Sequence, residues 1–144
     1  MQLRDILKIK GKLLVTIAPD EPVSNGVELM SEKDVGSLVV MSQGSMVGML
    51  TFREVLHALR ENDGSIQGLR VDAIMVRNPT AMAPGVEVDE LRSVMLKHHI
   101  RYMPVVEDDT LVGVLSFHDV ARAVLEEQAF ENRMLKGYIK DTPA

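Results

Sequence analysis

The chain contains no cysteine and no tryptophan, and aromatic residues make up only 3% of its 144 positions. Without thiols there is no disulfide scaffold, no thiolate metal site and no cysteine nucleophile, and a reducing cytoplasm is the expected location. Basic residues are in deficit too: 16 Lys plus Arg stand against 21 Asp plus Glu, a formal net charge of -5. That sign is wrong for a protein that binds through phosphate backbones, so nucleic acid is not expected as the chief partner. The run Met1-Gln2-Leu3-Arg4-Asp5 reaches a carboxylate at once and has no apolar core, so no secretory signal is expected. Long apolar runs are also missing. The longest stretch without a formal charge, Val35 to Phe52, is split by the turn cluster Ser42-Gln43-Gly44-Ser45, which predicts two strands and no membrane span.

What the chain does contain is one unit written twice. A shift of 65 residues lays Ala18-Pro19 on Ala83-Pro84, Val23 on Val88, Met30 on Met95 and Val40 on Val105. The same shift lays Val47-Gly48 on Val112-Gly113, Leu50 on Leu115, Phe52 on Phe117, Val55 on Val120, Ala58 on Ala123 and Glu61 on Glu126. Conservative pairs fill the spaces between, among them Thr51 with Ser116 and Glu54 with Asp119.

Each copy predicts the same elements. An extended piece (Val15 to Ala18, Thr80 to Ala83) precedes apolar residues at helical spacing, Val23, Val27, Met30 and Val88, Leu91, Met95. A hairpin follows, with strands Val35 to Met41 and Met46 to Leu50 in the first copy, Ile100 to Val106 and Leu111 to Leu115 in the second. Thr51 or Ser116 then caps a helix. The segment from Asn62 to Gly68 is the internal linker, and Val71 to Met75 echoes Leu3 to Leu7 as a short helical lead-in. The last helix is expected from about His118 to about Lys136, with Phe130, Met134, Leu135 and Tyr138 in need of a partner surface.

The segments Val47 to Val55, Tyr102 to Val106 and Leu111 to Val120 resemble the paired cystathionine-beta-synthase domain, the CBS pair or Bateman module, from about residue 3 to 127. They carry its order of apolar strand, Gly, strand and Thr/Ser-x-x-acid. The resemblance implies an α/β (α+β) fold of tandem β-α-β-β-α repeats related by a pseudo-twofold axis, here with a long C-terminal helix. The expected units are residues 7–68, residues 75–132 and a helical tail, 133–144.

The resemblance also implies a non-enzymatic regulatory module, usually a homodimer, that binds an adenosyl effector: AMP, ADP, ATP, NAD(H) or S-adenosylmethionine. Asp119, one turn beyond Ser116, would accept the ribose hydroxyls. Thr80-Ala81-Met82 and Arg101-Tyr102-Met103-Pro104 would form the adenine slot. In the first copy Thr51 and Arg53 are the candidate contacts, and Glu54 stands where the family prefers Asp, which favours a weak or empty cleft. The alternative is a homodimeric scaffold without ligand, assembled through the CBS faces and the C-terminal helix. His57, His98, His99 and His118 make no metal-ligand pattern, and no nucleophile motif or phosphate loop is present.

Overall fold

The computed structural model describes residues 1–11 and 13–141, with side chains through residue 137. In chain order its elements are α1 (Leu3–Lys10), β1 (Thr16–Ile17), α2 (Val23–Lys33), β2 (Ser37–Ser42), β3 (Ser45–Thr51) and α3 (Phe52–Glu61). There follow α4 (Val71–Ile74), β4 (Val76–Arg77), α5 (Val88–His98), β5 (Tyr102–Glu107), β6 (Thr110–Ser116) and α6 (Phe117–Asp141). The bounds of α2, β2 and β3 recur 65 residues later in α5, β5 and β6. Even the irregularity repeats: register shifts between Val40 and Met41 in one hairpin and between Val105 and Val106 in the other.

The first sheet runs β1-β2-β3-β4, with β1 parallel to β2 and the remaining pairs antiparallel. The second sheet holds only β5 and β6. The strand expected over Thr80 to Ala83 is reduced to one parallel bridge, Met82 with Val105. Pro104 explains the loss. Its counterpart Val39 donates its N–H to Val15 O, whereas proline has no N–H to give. The unforeseen β4 pairs with β3 through Gly48 and Met49. α6 runs past Gly137 to Asp141, beyond the expected end, and a single interior glycine costs a helix only about 1 kcal/mol.

Two apolar cores form, and each takes in the lead-in helix of the other repeat. Leu3 and Ile6 of α1 are buried with Leu91, Met95, Met103, Val105 and Leu115. Val71 and Met75 are buried with Ile17, Leu38, Val40 and Leu50. Backbone bonds hold the exchange: Leu3 N–H donates to Val86 O, and Val71 N–H to Glu21 O. The Val-Gly pair in each copy now has a physical reason. A Cβ on Gly113 would lie 2.6 Å from Leu7 Cδ2, and one on Gly48 would lie 2.7 Å from Val76 O. Glycine is what lets the lead-ins dock. Among the described residues, no helix is long and apolar enough to cross a membrane.

Candidate functional site

Ser116 closes β6 and Asp119 lies in the first turn of α6, so a capping box forms between them. Ser116 N–H donates to Asp119 Oδ2 at 2.8 Å, and Asp119 N–H donates to Ser116 Oγ at 3.0 Å. A third group comes from far away in sequence. Lys10, at the end of α1, donates to the same Oδ2 at 2.6 Å and to Val114 O at 2.8 Å. It can do so because α1 is docked on the second repeat. Burial works to raise the Asp119 carboxyl, but the hydrogen bonds from Lys10 and Ser116 and the Lys10 charge outweigh it and hold the group below its ordinary value. Asp119 Oδ1 has no hydrogen-bond partner among the described residues.

These groups line a cleft of about 450 Å³ between the repeats. Its apolar walls are Leu13, Leu14 and Val15 ahead of β1, Val35 and Val39 of the first repeat, and Val114 of the second. Asp34 and Gly36, from the turn between α2 and β2, complete it, with Tyr102 and His118 opposite. A Cβ on Gly36 would fall on the Tyr102 hydroxyl, so glycine here makes room for that ring. Tyr102 also meets Phe52 edge to face, 6.4 Å between centroids, and burial raises its hydroxyl pKa against the opposing pull of Arg101.

A second cleft, about 560 Å³, opens around Thr51. Arg53, His57 and Arg60 of α3 face it, with His98, His99 and Arg101 from the end of α5 and the approach to β5. The Arg101 guanidinium carbon sits 5.4 Å from the centre of the Phe52 ring. Glu54 does not line this cleft. Its Oε1 accepts both the N–H and the hydroxyl of Thr51, each at 2.8 Å.

The residues picked from the sequence are therefore distributed over different places. Ser116, Asp119 and Tyr102 share the first cleft, while Thr51, Arg53 and Arg101 belong to the second, which Tyr102 also reaches. Thr80, Ala81 and Met82 line neither, and Met103 and Pro104 are buried and line neither. An adenine slot built from those five residues beside Asp119 does not form. The physical reason is that each cleft lies between repeats, so the wall facing Asp119 comes from the first copy. Lys10, Leu13, Asp34 and Gly36 were missed for that reason, although the 65-residue offset between Asp34-Gly36 and His99-Arg101 was a usable signal. Among the described residues, no group of three or more His, Asp or Glu side chains could hold a metal ion.

Comparison with known proteins adds four findings. The family model described as CBS domain matches twice, over residues 3–61 and 71–126. The mitochondrial CBS domain-containing protein CBSX3 of Arabidopsis thaliana is 30% identical over 147 aligned residues, covering 96% of this chain and 71% of that protein. Among solved structures, a putative signal-transduction protein with CBS domains from Burkholderia ambifaria superposes with a TM-score of 0.83 at 27% identity, over 89% of this chain and 96% of that one. The CBS domain pair of protein MJ0100, solved in complex with 5′-methylthioadenosine and S-adenosylmethionine, superposes at 0.75 with 24% identity, over 88% and 98%.

Proposed function

The chain belongs to the CBS-domain family as a tandem pair, and from that premise we propose that it is a non-enzymatic regulatory module whose Asp119 cleft binds an adenosyl ligand. The carrying observation is the state of Asp119. Its carboxylate is held ionised and oriented through Oδ2, while Oδ1 is left to accept a ribose hydroxyl beside the apolar walls of a cleft of about 450 Å³. Among the described residues Lys10 is the only Lys or Arg lining the cleft and is already paired, and Asp34 adds a second carboxylate. This balance suits adenosyl ligands with few or no phosphates, S-adenosylmethionine and AMP ahead of ATP. The ligands bound by the MJ0100 pair are of that class.

The effector's occupancy is read through a homodimer. Leu96, Phe117 and Leu125 are exposed on α5 and α6, which gives a second copy an apolar face to cover. A chain without cysteine suits a reducing compartment such as the cytoplasm. A second reading, a ligand-free scaffold assembled through α6, draws on the exposure of Phe130, Met134 and Leu135, at 56%, 61% and 60%. The side chain of Tyr138 lies outside the described residues.

A thermal-shift screen with AMP, ADP, ATP, NADH and S-adenosylmethionine tests the binding. A ligand at a hundred times its Kd adds about 2.7 kcal/mol to the folded state. Asp119→Ala should remove the shift and Glu54→Ala should keep it. No shift with any ligand, or equal loss in both variants, overturns the reading.

A further inference from the structure

The two lead-in helices end differently. After α4 the chain runs straight into β4, which lies along the outer edge of β3 and pairs Val76 with Met49. The counterpart of Met49 in the second repeat is Val114, and among the described residues no strand lies along β6 there. Lys10 takes that place with a side chain: its Nζ donates to Val114 O at 2.8 Å and also to Asp119 Oδ2 at 2.6 Å. The rest of α1 fixes where this ammonium arrives. Leu3 and Ile6 are buried in the second core, and Leu7 rests over Gly113, whose missing Cβ makes room for it. Gly11, at φ 87, then turns the chain, and Leu13, Leu14 and Val15 line the same cleft.

Few charges face this cleft. Among the described residues they are two carboxylates, Asp34 and Asp119, and one ammonium, Lys10, with the imidazole of His118 beside them. With Lys10 the fixed charges sum to -1, and without it to -2. Adenosyl ligands share a base and a ribose and differ in charge at the 5′ position: AMP carries about -2 there, 5′-methylthioadenosine none, and S-adenosylmethionine a sulfonium. A ribose hydroxyl held on Asp119 Oδ1 brings the 5′ group within one sugar ring of the ammonium on Oδ2. We infer that Lys10 is the specificity-determining residue of the Asp119 cleft and sets the charge that the 5′ group can carry, admitting a monophosphate that the two carboxylates alone would repel. This rests on the adenosyl reading of the cleft, and it assigns the choice of ligand to a residue that lies ahead of both hairpins in sequence and reaches the cleft only because α1 docks on the second repeat.

The experiment is calorimetric titration of the full chain with AMP, 5′-methylthioadenosine and S-adenosylmethionine, at fixed ionic strength and about pH 8, where an ordinary imidazole is neutral. Lys10→Met should weaken AMP roughly tenfold, keep 5′-methylthioadenosine within about threefold and tighten S-adenosylmethionine, as removal of one partly screened charge does. A loss of packing or a misdirected Asp119 would weaken all three alike, so the affinity for AMP relative to 5′-methylthioadenosine is the deciding quantity. Lys10→Arg should keep the wild-type ratio. Lys8→Met removes the same charge from an exposed position of α1 outside the cleft and should also keep it. The inference is overturned, with the adenosyl reading left standing, if Lys10→Met leaves the ratio unchanged, if Lys8→Met or Lys10→Arg shifts it as far, or if the wild type binds the other two ligands but not AMP. A wild type that binds none of the three overturns both.

Discussion

Asp119 Oδ2 receives donors from two elements, Ser116 N–H from the end of β6 and Lys10 Nζ from α1. Because this holds the folded-state carboxyl below its ordinary value of 3.8, the pair contributes stability that is present above that pH and is lost as pH falls through the lower folded value. The contribution is modest, under about 1 kcal/mol, since both side chains retain contact with water. Lys10→Met should therefore lower the urea midpoint slightly at neutral pH, and the gap to wild type should close as pH drops below 4. A gap of constant size down to the acid transition would show that Lys10 does not act on this carboxylate. Asp119 and Ser116 were legible in the sequence because a hydroxyl three residues ahead of an acid is a local pattern. Lys10 was not, because its partner lies 109 residues away and only the docking of α1 joins them.

The hairpins show how far local chemistry extends. Gln43 and Gly44 in the first turn, and Asp108 and Asp109 in the second, all have positive φ, which is what a tight two-residue turn between right-twisted strands demands. Glycine meets that demand without strain, whereas Asp109 at φ 62 has a Cβ to accommodate. Asp109→Gly should stabilise the protein by about 0.5–1 kcal/mol, read as a higher Tm, and the first repeat already carries the control. A fall in Tm would mean that the Asp109 side chain contributes something the backbone does not reveal. Strands β2, β3, β5 and β6 were readable from alternating and β-branched runs, as were α2 and α5 from their periodicity. The shrinkage of the second leading strand was not. It depends on which residue faces Pro104 across the sheet, and pairing partners are a tertiary fact.

At the scale of the whole molecule, the doubling and its family were legible, while the crossing of the two halves was not. Each lead-in helix is short and would read as the start of its own repeat, yet its apolar residues complete the core of the other. The same crossing places the first repeat's wall opposite Asp119. The tail of α6 stands apart from this arrangement: Val120 is buried, whereas the residues from Glu126 to Gly137 are exposed. Truncation after Glu127 should leave the thermal shift with adenosyl ligands intact and, by sedimentation velocity, leave the proposed dimer intact as well. Loss of the dimer alone would assign assembly to the tail.

The crossing also sets a timetable for synthesis. Leu3 and Ile6 leave the ribosome roughly a hundred residues ahead of Leu115, against which they are finally buried. Until β6 has emerged, α1 must wait with its apolar face uncovered, or rest on a provisional surface it later gives up. The first hairpin can close at once, but the first core also needs Val71 and Met75, and the second needs a helix made long before it. Neither half can be finished and set aside while the other is still being made.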